Sequence, residues 1–332
     1  MDELIQRLGR LNESEKKIFD RIFSYQIDNV SQAVPPEIFA RYGPKVENQE
    51  LLRVRNKVMF QESLFNVWRG RRPEPIKDFK PPVDDIFFQP EKTTPIDEVG
   101  RIESNFSLTA SNLTKIARHH SLVIFKNSNP FNLSQIEIQD GFQTAFEWFK
   151  KIKIQDEKVQ TPIVFWNFLY RAGASVFHPH LQILYLDQLP AKLEFLSDRA
   201  GEYEKKFGSN YWQDLFLVSK SLGLAEEVGS GFRILVSLTP AKERELIILV
   251  DQWSGCLDRL AGLIEKYINL GSQSFNLFLV GGDEKSKPIG FIVDRGPLSE
   301  VNADIGSLEL YAFTVVSFDP FAFAQTLREN SN

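Results

Sequence analysis

Apolar residues recur at helical spacing through residues 1–32, where Leu4, Leu8, Leu11, Ile18, Ile22 and Phe23 mark one face and charged residues the other. This predicts one or two helices. Residues 72–99 are interrupted by Pro73, Pro75, Pro81, Pro82, Pro90 and Pro95, which predicts extended surface chain. Short apolar runs then alternate with longer periodic ones. Residues 121–126 (SLVIFK) read as a strand, and Ser134 as the cap of a helix through Lys150 with Ile138, Phe142, Ala145, Phe146 and Phe149 inward. Residues 162–168 (PIVFWNF) and 178–186 (HPHLQILYL) read as strands. The order repeats later: a strand at 245–250 (ELIILV), then a helix at 251–270 with Trp253, Leu257, Leu260, Ile264 and Ile268 inward and Gly271 as its stop. Strands follow at 274–280 and 290–293. Strand–helix–strand–strand thus occurs twice, about 120 residues apart, which predicts two copies of one α+β unit.

Composition narrows the function classes. With 332 residues, 42% hydrophobic and 25% charged, the chain reads as an ordinary globular protein. A net charge of -5 provides no global basic field for nucleic acid or an anionic membrane, so cations for an anionic ligand must be local. A single cysteine, Cys256, excludes internal disulfides and all-cysteine metal sites. No signal-peptide core or membrane-length apolar run occurs, and a cytoplasmic location is the default expectation.

The four histidines fall in two pairs, His119–His120 and His178–Pro179–His180. On a strand, His178, His180 and Gln182 share one face, while Leu181, Ile183 and Tyr185 take the other. A small-residue turn, Ala172–Gly173–Ala174–Ser175, lies just upstream, where backbone amides and the Ser175 hydroxyl can approach an anion. Asn167 ends the preceding strand. A histidine beside an anion-binding turn suits nucleophilic attack at phosphorus. Two other readings stand beside it: histidines with ordinary structural hydrogen bonds, and a metal site completed by carboxylates.

The spacing Asn167-x5-Gly173-Ala174-Ser175-x2-His178-Pro179-His180-x-Gln182 resembles the active-site signature of the galactose-1-phosphate uridylyltransferase branch of the histidine-triad superfamily. Within that branch the motif is most similar to that of the dinucleoside-tetraphosphate phosphorylases, or ATP adenylyltransferases. The resemblance implies an enzyme, a nucleotidyltransferase or phosphorylase, of α+β class with a pseudo-duplicated histidine-triad-like fold of antiparallel sheets and packed helices. It implies that His180 attacks the α-phosphate, that Gln182 contacts the transferred phosphate, and that Asn167, Gly173 and Ser175 contact phosphate; His178, on the same strand face, is expected to orient the site, and Ala174, within the same turn, to bind phosphate. Trp68-Arg69-Gly70-Arg71-Arg72-Pro73 resembles the family's arginine segment, which puts Arg69 and Arg72 near the nucleotide phosphates; alone, it would read as a solvated basic run. Glu103-Ser104-Asn105-Phe106 resembles the base- and ribose-contacting segment, which assigns Asn105. Residues 308–316 and 320–328 resemble the family's last strand and helix.

The expected organisation is an N-terminal helical extension (1–59), a first half carrying the site (60–190) and a second, degenerate half (191–332). The expected partners are a nucleotide or sugar-nucleotide and a phosphate acceptor, with no cofactor, nucleic acid or membrane and a homodimer left open. Three departures from the family pattern stand out. Ile86 and Gln89 replace a zinc-binding cysteine pair, so no metal is expected. Leu169 stands where the family has glycine, with Arg171 beside it as a further phosphate cation. No histidine follows His180, and no galactose-binding segment is evident. A protein that binds nucleotides without turnover and a metal-dependent phosphohydrolase remain as alternatives.

Overall fold

The structure, a computed structural model, describes residues 2–36, 39–40, 43, 46–66, 85–281, 288–298 and 314–329. The chain opens with helices α1 (Asp2–Leu8) and α2 (Glu13–Ile22). Asn12 caps α2 and Glu15 returns the bond, a full capping box. The helical reading of residues 1–32 holds this far and then fails. Phe23–Ser31 is strand β1, paired antiparallel with β2 (Asn48–Asn56), which pairs with β3 (Gln61–Phe65). Phe19, Ile22 and Phe23 remain buried across this change of backbone, so the helical apolar spacing ran on into a strand. The N-terminal segment is therefore helix plus sheet, not helix alone.

After a short helical turn, α3 (Pro90–Thr93), the molecule is organised by one nine-stranded sheet. Its first half holds β4 (Ser107–Ser111), β5 (His119–Phe125), helix α4 (Gln135–Gln155), β6 (Thr161–Phe168) and β7 (His180–Leu186). Ser134 caps α4 with Glu137 as its box partner, as its position predicts, and the helix runs five residues beyond Lys150. Two helices that the apolar pattern did not reveal, α5 (Ala191–Phe207) and α6 (Tyr211–Ser221), lead to the second half. There β8 (Ala225–Glu227), β9 (Phe232–Val236), β10 (Leu246–Val250), helix α7 (Leu257–Asn269), β11 (Phe275–Val280) and β12 (Ile289–Asp294) follow. The predicted helix from 251 starts late because Trp253–Gly255 forms a 3₁₀ turn, and Gly271 closes it at φ 90°. Finally β13 (Thr314–Val316) joins β3 in parallel, and α8 (Pro320–Glu329) packs against the core through Phe321 and Leu327. The remainder of the strand expected at 308–316 lies outside the described residues.

Sheet order, β4-β5-β7-β6-β11-β12-β10-β9-β8, shows how the two halves join. Each half has its helix-bearing hairpin set, and the halves meet where β6 and β11 run antiparallel, Phe165 opposite Phe278 and Asn167 opposite Asn276. One face of the joint is dry: Trp166, Phe168, Phe275 and Leu277 are buried, with Phe168 stacked on Phe275 at 4.4 Å. α4 and α7 cover this face, their inward residues Ile138, Phe142, Trp148, Leu260 and Ile264 belonging to the same core as Val123, Leu181 and Ile183. Burying such a face from both halves at once is what makes two repeats one unit. Among the described residues, no helix is long and apolar enough to cross a membrane.

Candidate functional site

The chemical groups lie at one end of the first half. β7 begins at His180, so His178 and Pro179 form its approach rather than its first residues. Pairing with β5 sets His180 opposite Ile124 and Gln182 opposite Leu122. Leu181 and Ile183 point into the core as the alternation requires, and His180 and Gln182 take the opposite face. A small apolar cluster of Phe87, Ala110, Leu122 and Ile124 forms the floor there. The Phe87 ring meets both imidazoles edge-on, 5.2 Å from His180 and 5.9 Å from His178.

Hydrogen bonds fix what each histidine is. His180 Nδ1 lies 2.9 Å from the carbonyl oxygen of His178. A carbonyl only accepts, so the ring proton sits on Nδ1 and the Nε2 lone pair is free for chemistry. Burial holds His180 below the ordinary histidine pKa of 6.5, reinforced by the charge on His178 and only partly opposed by the backbone bond. It is thus a neutral imidazole of defined tautomer. His178 faces an acceptor on each side, Asp85 Oδ2 at 2.7 Å from Nδ1 and the Phe125 carbonyl at 2.6 Å from Nε2. The Phe125 N–H in turn donates to the Pro179 carbonyl, and this pins the approach segment to the end of β5.

Gln182 is oriented by a histidine from the other pair. The Ile116 N–H donates to His120 Nδ1, which places the ring proton on Nε2, 3.1 Å from Gln182 Oε1. Asn112 Nδ2 faces the same nitrogen at 3.0 Å. Burial lowers the His120 pKa, so the ring is neutral. With Oε1 engaged, the amide NH₂ is the end of Gln182 not committed to His120. His119 takes another direction, its two nitrogens facing Glu98 at 2.5 Å and Asp156 at 3.0 Å. The histidines therefore do not converge on a common point. No group of three or more histidine, cysteine, aspartate or glutamate residues is disposed to hold a metal among the described residues. Ile86 is exposed and Gln89 Oε1 accepts from Lys92; the neighbouring Asp85 is the residue that reaches His178.

The turn between β6 and β7 is tightly wound. Ala172 and Ala174 N–H donate to the Leu169 carbonyl, and Gly173 N–H to Tyr170. Gly173 has φ 93°, a conformation for which glycine is suited. The amides of Gly173 and Ala174 are thus engaged within the turn and shape it. Exposed Ser175 makes no hydrogen bond among the described residues. Asn167, two residues past the Phe165–Gln182 pair, comes level with His180, and its Nδ2 lies 3.9 Å from where a Cβ on Gly173 would stand. Leu169 adopts φ 69°, ψ 177°, a region otherwise left to glycine. Its side chain is 3% exposed and belongs to the main core, so its bulk is turned away from the turn's open side. Arg171 reaches over to the second half, donating to the Pro297 carbonyl at 2.9 Å.

Asn105 is exposed in the turn before β4. Ser107 of that strand pairs with Phe125, so Asn105 stands at the same end of the sheet as His178, with no bond to the other candidate residues. Arg69 and Arg72 lie outside the described residues. Sequence reasoning did not find Asp85, Phe87 or Asn276 and did not assign His120 a role. Superposing the two repeats could have flagged Asn276, because it occupies the strand opposite Asn167.

No family model matches the chain. An uncharacterized protein of Archaeoglobus fulgidus is 25% identical over 240 residues, covering 66% of this chain and 71% of that protein. Among solved structures, an ADP-glucose phosphorylase from Arabidopsis thaliana with bound ADP-glucose shares the fold at TM-score 0.64 and 17% identity, covering 84% of this chain and 98% of its own. A uridylyltransferase does so at TM-score 0.58 and 13% identity, with 83% and 97% covered. A GalT-like protein from Arabidopsis thaliana matches at 0.57 and 17%, with 76% and 94% covered. The α+β, pseudo-duplicated histidine-triad-like fold expected from the signature is the fold the chain has.

Proposed function

We propose that this protein is a nucleotidyltransferase or phosphorylase that carries a nucleoside monophosphate on His180. The observation that supports this most is the state of that ring: neutral, with its proton held on Nδ1 by the His178 carbonyl and its Nε2 unprotonated. In the first step Nε2 attacks the α-phosphorus of a sugar nucleotide or dinucleoside polyphosphate. The N–P bond forms as the bond from phosphorus to the bridging oxygen breaks, and the leaving phosphate departs with that electron pair. In the second step an oxygen of inorganic phosphate or a phosphate monoester attacks the same phosphorus, and the P–N bond breaks to restore His180. Both leaving group and acceptor are phosphates that need no proton from the protein. An amide suffices at Gln182, where a histidine would be needed to assist a poorer leaving group or to activate water.

Asn167 Nδ2 and Ser175 donate to the transferred phosphate, Gly173 and Ala174 shape the turn that receives it, Asn105 contacts the nucleoside, and Arg69 and Arg72 neutralise the phosphates. The fold shared with ADP-glucose phosphorylase and uridylyltransferase structures supports this reading. The experiment offers ADP-glucose, UDP-glucose and diadenosine tetraphosphate separately and follows protein mass. An acid-labile gain of one nucleoside monophosphate is expected. His180→Ala should keep the fold and lose the adduct, and inorganic phosphate or a sugar phosphate should hasten decay of the isolated adduct. An adduct on the alanine variant at the wild-type rate, or decay indifferent to every phosphate acceptor, would refute the proposal.

A further inference from the structure

The second half of the chain ends two polar strands at the anion turn of the first. Asn276 on β11 donates both amide hydrogens, one to Asn167 Oδ1 and one to the Ala172 carbonyl, each at 2.8 Å. Its own Oδ1 accepts from Arg295 Nη1, just past β12. These partners remove any ambiguity about which way the amides face. A guanidinium can only donate, so it fixes the Asn276 oxygen; a backbone carbonyl can only accept, so it fixes the Asn276 nitrogen. The Asn276 NH₂ then permits one orientation of Asn167, oxygen toward Asn276 and nitrogen away. That nitrogen is the atom beside Gly173.

We infer that Asn276, held by Arg295, is a positioning residue that keeps the Asn167 amide donor turned toward the phosphate of the bound nucleotide. The inference rests on the proposal that this turn receives the transferred phosphate. On this account the second half contributes polarity to the site without touching the substrate: it decides whether Asn167 meets an anion with its N–H or its oxygen. An unconstrained asparagine could still rotate to suit the ligand. One locked the wrong way would present an oxygen to an oxyanion, which is repulsive.

Comparing Asn276→Ala with Asn276→Asp tests this. Alanine releases Asn167, whereas aspartate keeps the Arg295 contact and offers Asn167 only an acceptor, which turns its oxygen toward the phosphate. The more conservative change in shape should therefore be the more harmful. With the three donors named above, Asn276→Asp should raise the KM for adduct formation by about ten-fold or more, Asn276→Ala by several-fold less, with kcat changed little in the alanine variant. In an Asn167→Ala background, Asn276→Ala should add less than about two-fold, because coupled residues are non-additive. Asn276→Asp as active as Asn276→Ala, or full additivity with Asn167→Ala, would overturn the positioning role while leaving the His180 proposal intact. If wild-type protein forms no adduct with any donor, the underlying proposal falls and this inference falls with it.

Discussion

At the residue scale, two buried groups have protonation states that the fold imposes in opposite senses. His180 is held below 6.5 by burial, so its nucleophilic form persists where an ordinary imidazole would be mostly protonated. The acid limb of the pH–rate profile for adduct formation should therefore lie below pH 6.5, as single-turnover mass spectrometry across pH would show. A limb at or above 6.5 would mean that the ring is more solvated than its surroundings imply. Glu245, just before β10, is the counter-case. Burial lifts its carboxyl from 4.5 to about 7 against the Ala241 N–H and Ser237 bonds. Its folded pKa exceeds its unfolded one, so its contribution to stability is complete below about 4.5 and is lost as pH rises through about 7. A shift of this size corresponds to about 3 kcal/mol at most. Glu245→Gln keeps an acceptor for Ala241 without the charge, and should be more stable than wild type near pH 8 but not near pH 4.5. Denaturant unfolding at the two pH values measures this, and identical differences at both would contradict it.

At the element scale, the turn between β6 and β7 sets two costs against each other. A leucine at φ 69°, ψ 177° stores strain of about 1–3 kcal/mol, and burying its side chain returns about 1.5–3 kcal/mol. Leu169→Gly should relieve the first and forfeit the second, leaving unfolding free energy within about 2 kcal/mol of wild type on those scales. The turn would lose its anchor in the core, so adduct formation should slow although stability changes only modestly. A large loss of stability with unchanged adduct kinetics would show the leucine to be purely structural. The same turn shows what was legible beforehand. The signature named His180, Gln182, Asn167 and the small residues, which the fold brings to one end of β6 and β7, because short-range spacing carries them. The alternation of β7 and the capped helix α4 were readable for the same reason. The residues that orient the site were not, since Asp85 reaches His178 and Asn276 reaches Asn167 only through tertiary structure. β1 was misread because Ile22 and Phe23 continue the helical apolar spacing into a strand. α5 lacked a clear signal because Tyr203 is its one fully buried residue.

For the whole molecule, the joint between β6 and β11 holds the two halves as one cooperative body. Phe275 is fully buried there, stacked on Phe168 and edge-on to Trp166 and Tyr267. Phe275→Ala should cost about 3–5 kcal/mol, and unfolding should remain a single transition, because neither half keeps its dry face without the other. Scanning calorimetry that resolved two transitions would show the halves to be separable. The joint also bears on the order in which the protein acquires its chemistry. Asn167 and Asn276 are 109 residues apart along the chain, and Ala172 and Asn276 are 104 apart. A chain emerging N-terminus first exposes His180 and its turn long before Asn276 and Arg295 exist to aim the asparagine. A nascent chain can thus display the complete signature while Asn167 is still free to turn either way. On the proposed function, affinity for the nucleotide should tighten when the second repeat closes on the first, so that tightening during synthesis would serve as a clock for that closure.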